Sequence, residues 1–333
     1  MATVLITGGT GLIGKRLRQA LLKKGFSVII LSRQANQQSA NANLSYATWN
    51  VEQQTIDKVA ISKADYIIHL AGAGVADKRW TKKRKQEIVS SRVDSGKLIV
   101  DSLKVIPNKV KAVISSSAIG WYGSDSVTPT KLRSSSSIRL GTHGGAGSHS
   151  RMFVESDPPA NDFLGIACKR WEESIEPVTQ SGIRLVKLRI GIVLSKEGGA
   201  LKEFLKPLQF GIAAILGNGK QIISWIHIDD LVSIFMMAIE DDRMNGVYNT
   251  VAPDPVSNKE LTLRLAKRRR HFFIPLHIPS FVLKIILGEM SIEVLKSATV
   301  DCNKILKTGF TFQFPDINSS LTDLIKKDGH PVN

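Results

Sequence analysis

The run Thr3-Val-Leu-Ile-Thr7 and the glycines that follow it, Gly8-Gly-Thr-Gly11-Leu-Ile-Gly14, decide how the rest of the chain is read. A short β-prone segment ends in four closely spaced glycines. Leu12, Ile13, Leu17 and Leu21 then recur at helical spacing. The predicted order is buried strand, tight turn, and a helix from Gly11 to Lys24 with Gly25 as its C-cap. Gly8 lets the chain turn tightly, Gly11 lets backbone N–H groups approach a pyrophosphate at the positive helix end, and Gly14 permits close helix–strand packing. Such spacing is weak evidence alone. A strand before it and a helix after it make it a dinucleotide-binding loop.

Outward from this loop, Ser27–Leu31, Tyr66–Leu70, Ala112–Ser116 and Leu185–Leu194 are predicted strands. Helical patterns at about 79–103 and 162–180 separate the later ones. Strand–helix alternation with continuously apolar strands implies a parallel sheet covered on both faces. Ser257 and Glu260 form a predicted capping box. The expected fold class is α/β: a Rossmann-type, doubly wound parallel sheet with a small C-terminal α+β substrate domain. The sheet domain is expected at 1–194 plus about 226–251, and the smaller one at about 195–225 plus 252–333. Residues 126–154 contain no acidic residue, and Ser134–Ser137 and Gly144–Gly147 offer little to bury, so a flexible basic loop is expected there.

The 333 residues suit about two domains. With 43% hydrophobic and 22% charged residues, a disordered, collagen-like or coiled-coil chain is excluded. No apolar run approaches the roughly 20 residues of a membrane span, and the N-terminus lacks a signal-peptide pattern. Cys168 and Cys302 are too few for a disulfide framework, so a cytoplasmic location is expected. The net charge of +16 favours anionic ligands in general.

NAD-selective dinucleotide proteins usually place an acidic residue at the end of the second strand to bind the ribose 2′-OH. Here Leu31-Ser-Arg33 stands there. Arg33 can pair with a 2′-phosphate, and a charge-assisted hydrogen bond of about 1.5–3 kcal/mol favours NADP(H) over NAD roughly tenfold to a hundredfold. Lys15 and Arg16 add positive charge nearby.

Four segments resemble the extended short-chain dehydrogenase/reductase superfamily, the NAD-dependent epimerase/dehydratase group. They are Thr7–Gly14, His69-Leu-Ala-Gly-Ala73, Ser115-Ser-Ser-Ala-Ile-Gly-Trp-Tyr-Gly123 and Ser224-Trp-Ile-His-Ile-Asp-Asp230. Arg79-Trp-Thr81, Asp162-Phe-Leu164 with Trp171-Glu172, Leu216–Gln221 and Gly309-Phe-Thr-Phe312 are similar to its atypical, nucleoside-diphosphate-sugar epimerase-like branch. The resemblance implies that Gly8, Gly11, Leu12, Ile13 and Gly14 line cofactor phosphates and that Leu70, Ala71 and Gly72 follow the adenosine–ribose edge. It also implies that Ser115 belongs to the cofactor site and that Gly191, Ile192 and Val193 lie near the nicotinamide. Ser117 takes the place of the catalytic serine, with Ser116 as the fallback, and Lys220 and Gln221 face the substrate.

The superfamily's Tyr-x-x-x-Lys pair is absent. Four residues after Tyr46, Tyr66, Tyr122 and Tyr248 stand Asn50, Leu70, Ser126 and Ala252. Leu164 and Cys168 fill the pair's two places, so Tyr122 is the substitute acid/base by type, with Asp162 and Lys169 behind it. Cys168 is expected to be a core residue, and His227 to hydrogen-bond within the fold. No metal-ligand spacing is evident. The basic runs at 78–85 and 267–270 are expected to be solvated faces. The expected function is hydride transfer by an NADP(H)-binding oxidoreductase or epimerase on a nucleotide-sugar or another small hydroxyl/carbonyl substrate. The alternative is a non-catalytic protein sensing the NADPH/NADP ratio. A small-molecule partner and a monomer or homodimer are expected, without nucleic-acid or membrane partners.

Overall fold

The computed structural model describes residues 1–34, 39–125, 151–269 and 272–325. The first half runs β1 (Thr3–Thr7), α1 (Leu12–Lys23), β2 (Ser27–Ser32), β3 (Leu44–Asn50), β4 (Thr55–Ile56), α2 (Lys58–Lys63) and β5 (Tyr66–His69). α3 (Lys82–Val105), β6 (Ala112–Ala118), α4 (Phe163–Ile175) and β7 (Arg184–Ile190) follow. The second half continues with β8 (Ile192–Ser195), β9 (Gly198–Gly199), α5 (Ala200–Leu208), β10 (Ile212–Leu216), β11 (Ile222–Ile223), β12 (Trp225–His227) and α6 (Ile228–Glu240). β13 (Gly246–Thr250), β14 (Val256–Ser257), α7 (Asn258–Arg269), β15 (Ile274–Ile278), α8 (Ser280–Leu287), α9 (Ser291–Val294), α10 (Asn303–Leu306) and α11 (Ile317–Leu324) complete it.

The main sheet has the order β13-β7-β6-β5-β1-β2-β3-β4, parallel throughout except for β4. The central strands are apolar along most of their length because alternate side chains enter different cores. Val4, Ile6, Val28, Ile30, Ile68 and Ile114 pack with α1 and α6. Leu5, Ile29, Leu31, Ile67 and Val113 pack with α2 and α3. A third core, around Leu194, Leu201, Trp225, Leu261 and Leu321, joins the C-terminal helices to the small sheets.

Three boundaries differ from the sequence expectation. The strand at 185–194 breaks at Gly191, where a Cβ would lie 2.7 Å from the Ser224 carbonyl oxygen and from Val251, so the chain passes to β8 in a separate sheet with β12 and β9. The helix at 162–180 ends at Ile175 and continues as a 3₁₀ turn containing Pro177. Residues 126–150 of the expected basic loop lie outside the described residues, but 151–154 are not loose. Phe153 is buried, stacks on Tyr122 with centroids 5.1 Å apart, and pairs with the chain around Val300.

The motif around Ser224–Asp230 is a fastening. Ser224 donates to the Ala298 carbonyl and accepts from the Val300 N–H. His227 accepts from the Asp229 N–H as the N-cap of α6, and the Asp230 carboxylate accepts from the N–H groups of Gln313 and Phe314.

At the sheet centre the order reverses between β1 and β5, which creates the crevice where open α/β sheets bind ligands. Thr7 Oγ1 accepts from the Leu70 and Ala71 N–H groups and lies 2.8 Å from His69 Nδ1. This network assigns the Thr7 proton to Nδ1 and leaves Nε2–H facing Ser95, a neutral imidazole. Burial first, and then the charge of Arg92, push the His69 pKa down to about 4. Below about pH 6.5 the unfolded chain takes up a proton here that the folded chain refuses until about pH 4. Stability therefore falls across that window by the order of 3 kcal/mol and is fully present above it. Urea unfolding of His69→Asn from pH 7 to pH 4.5 should show a correspondingly shallower loss than the parent.

Candidate cofactor and substrate site

Gly8 has φ +69°, and a Cβ there would sit 2.9 Å from the Leu70 carbonyl carbon. A Cβ on Gly14 would lie 2.6 Å from Gly9 Cα. Only glycines let the turn press against both β5 and its own helix. Gly11 opens α1 without a side-chain cap, and no acidic residue stands in the first turn. The first N–H groups of α1 are therefore unclaimed by side chains and point toward the crevice, which suits a pyrophosphate. Leu12 and Ile13 are half-buried, and Leu12 lies against the β9 turn, 3.1 Å from where a Gly199 Cβ would be. These backbone features fit a dinucleotide cofactor.

Arg33 is exposed just beyond β2 and enters no hydrogen bond or ion pair among the described residues. Arg16, expected to add free charge here, instead makes a two-pronged ion pair with Asp229 at the start of α6, with contacts of 2.6 and 3.0 Å. At the other end of the crevice, Leu70 and Ala71 are half-buried and Gly72 is exposed. Past β7, Gly191 and Val193 are half-buried beside Ile192, which is 39% exposed. An apolar shelf thus lies at the carboxyl end of the sheet.

The expected catalytic groups are elsewhere engaged. Ser117 Oγ is buried and donates to Glu172 Oε1 at 2.7 Å. The fallback Ser116 donates to the His69 carbonyl, and Ser115 to the Ser116 carbonyl. Tyr122 is fully buried; its hydroxyl donates to Asn249 Oδ1 at 2.7 Å and accepts from Arg189 Nη1 at 3.0 Å. Burial raises its pKa far beyond the usual phenol range, against the lowering pull of Arg189. Ser117 and Tyr122 are thus both buried and held in internal hydrogen bonds. Gln221 is likewise buried, its amide donating to the Leu216 carbonyl. Lys220 is exposed. Asp162 caps α4 and pairs with Lys296, and Lys169 pairs with Glu173 on the solvent side.

A buried ionic network holds Ser117 and Tyr122. Arg189, 2% exposed, pairs with Glu172, 5% exposed, through Nε and Nη2 at 2.8 and 3.0 Å, and stacks 3.7 Å from the Trp121 ring. Burial pulls the arginine's pKa down, but the bonds to Glu172 and Tyr122 outweigh it. Cys168 is a core thiol whose pKa burial and the Glu172 charge push up to about 12.

Sequence inspection missed Arg92. Its guanidinium lies beside the loop after β5, 2.9 Å from where a Gly72 Cβ would be, and donates to the Ala73 and Ile88 carbonyls. It covers the Trp171 ring and is close enough to Cys168 for each charge to shift the other's pKa. Arg92 thus brings a cation from α3 to the loop that leaves β5.

Removing one partner of a buried pair leaves the other uncompensated. Arg189→Met should therefore cost roughly 3–5 kcal/mol in chemical denaturation, with Arg189→Lys costing less.

The comparisons agree with this geometry. Residues 4–143 match the model of the NAD dependent epimerase/dehydratase family, and residues 278–324 match a domain of unknown function, DUF1731. The chain is similar to Epimerase family protein YfhF of Bacillus subtilis, at 31% identity over 97% of each protein. It is also similar to an epimerase family protein of Staphylococcus saprophyticus, at 33% identity over 98% of this chain and 100% of that one. Among solved structures, human epimerase family protein SDR39U1 with NADPH superposes with a TM-score of 0.79 at 26% identity, covering 97% of this chain and 98% of that one. The chain belongs to the NAD-dependent epimerase/dehydratase family.

Proposed function

We propose that the protein binds NADP(H) in preference to NAD and uses it for hydride transfer with a small hydroxyl or carbonyl compound, a nucleotide-sugar being the leading class, in the cytoplasm. The observation that carries the cofactor choice is Arg33, exposed and unpaired beyond β2 where NAD-selective proteins place a carboxylate. The NADPH in the human relative's structure supports it. A bound nicotinamide supplies the hydride chemistry; the chain supplies orientation and exclusion of water. Arg33→Asp should lower the NADP/NAD affinity ratio by roughly tenfold to a hundredfold in calorimetric titrations. An unchanged ratio overturns the assignment.

Arg92 is the cation that steadies the bound cofactor in this reading, since the lysine of α4, Lys169, lies on the solvent side and pairs with Glu173. Nicotinamide fluorescence should show NADPH bound about tenfold or more weakly by Arg92→Met, and largely restored in Arg92→Lys. A purely structural arginine would instead lower the melting temperature of both variants and leave the affinity of the folded fraction unchanged.

A second reading, binding without turnover as a sensor of the NADPH/NADP ratio, is favoured by one observation: Ser117 and Tyr122 are both consumed in internal bonds. Oxidation of NADPH against a panel of carbonyl compounds, including keto-sugar nucleotides, separates the two. Turnover supports the first, and tight binding with no turnover across the panel supports the second.

A further inference from the structure

The stretch from Pro279 to Lys296 joins two firmly held pieces of chain but has almost no core of its own. Ahead of it, β15 is paired with β10 along Ile274–Ile278. Behind it, the Asp125 carboxylate accepts from Ser297 Oγ, the Thr299 N–H and Thr299 Oγ1, and Ser224 donates to the Ala298 carbonyl. Between these ends Leu283 and Ser291 are the only buried residues, and none of 279–296 enters the three hydrophobic cores. α8 and α9 have eight and four residues, too few to persist as helices without packing. They pack mainly on each other and on the turn at Gly288–Met290.

Charge fastens this segment to the nucleotide-binding domain. Glu289 pairs with Lys85 in the opening turn of α3, and Lys296 pairs at 2.7 Å with Asp162, the N-cap of α4. Arg79 lies against Gly288, and Gln221 adds a long bond of 3.4 Å to the Val294 carbonyl. Beneath these ties Lys85 also covers the Phe163 ring, which meets Trp80 edge-on. The anchors stand on chain that leaves the carboxyl ends of two neighbouring strands. Arg79 and Lys85 follow β5, Asp125 follows β6, and Asp162 opens the helix between β6 and β7. That edge is where an open α/β sheet binds its ligands.

We propose that residues 279–296 form a strap that lifts from α3 and α4 as a unit while both of its ends stay anchored, latched by Glu289–Lys85 and Lys296–Asp162, and that it closes over the substrate at the carboxyl edge of the sheet. The closing role rests on the hydride-transfer reading above, whereas the lifting does not. A segment with few buried apolar contacts opens locally at a lower free energy than the domain around it. Partly exposed ion pairs are weakened by salt, and the apolar cores on either side are not. The latch is therefore a salt-sensitive joint within the fold.

Hydrogen exchange of the full chain, read by mass spectrometry, tests this. Amides of α8 and α9 should exchange about tenfold or more faster than those of β1 and β6. Raising salt from about 0.05 M to about 1 M should speed them several-fold further and leave the β1 and β6 rates alone. Lys85→Met should speed exchange across 280–296 by about threefold, and Lys296→Met by about tenfold. Lys296→Arg, which keeps a cation facing Asp162, should stay near the parental rate. Lys85 is half-buried and the strap enters no core, so Lys85→Met should keep the parental melting temperature. Protection of 280–296 equal to that of β1 overturns the proposal, as does exchange that neither salt nor either methionine variant alters. NADP together with a carbonyl compound that the protein reduces, a pair unable to react, should slow strap exchange by about tenfold over NADP alone. A reduced compound that gives no such slowing overturns the closing role and leaves the hydride-transfer reading standing. No reduction across the panel overturns that reading and the closing role with it, while the salt and variant rates still decide the latch.

Discussion

The crevice depends on one close approach: the backbone of Gly8 laid against the Leu70 carbonyl, with Thr7 Oγ1 tying the end of β1 to the chain leaving β5. These two strands are neighbours in the sheet but are separated by about sixty residues of chain, and the connections on either side leave in opposite directions. That reversal opens the groove, and the absence of a Cβ at Gly8 and Gly14 lets the uncapped end of α1 border it. Thr7, having spent its acceptor capacity on two N–H groups, can only donate to His69. The imidazole must then stay neutral, so a pH-sensitive contact sits directly beneath the cofactor crevice.

The second organising constraint is the buried pair of Glu172 and Arg189. A desolvated ion pair is poor evidence of added stability, because desolvation offsets much of the attraction. Its effect here is positional. Glu172 holds Ser117, and Arg189 holds Tyr122 and stacks on Trp121, so the end of β6, the α4 helix and β7 are locked in one arrangement. The groups that a reader of the chain would choose for proton exchange are the ones this network consumes. Arg92, from α3, stands outside this network, beside Gly72 and Ala73 in the loop after β5.

The nucleotide half of the fold was legible because its signals are local. Continuous apolar strands announce burial on both faces, and glycines between a strand and a helix announce a phosphate loop. What was not legible required partners distant in sequence. Period-two alternation does not say that Ser117 meets a glutamate 55 residues on, or that Tyr122 turns toward Asn249. Arg16 carried no mark of its pairing with Asp229, 213 residues away, and Gln221 none of its burial. The break at Gly191 comes from the approach of Ser224 and Val251, invisible in an unbroken apolar run. Arg92 did leave a trace: a lone arginine inside the stretch Ile88-Val-Ser-Ser-Arg92-Val, where a helix otherwise turns uncharged residues inward.

The surplus of positive charge also takes on a structure once pairings are counted. Near the mouth of the crevice the basic residues of α3 act as ties to the C-terminal segment. Lys85 bonds Glu289, and Arg79 lies over Gly288, whose φ of +63° turns the chain directly after α8. Lys296, beyond α9, reaches back to Asp162 at the start of α4. The apolar helix α8 is therefore fastened at its C-terminal end to α3 and α4, while its outer face is exposed among the described residues.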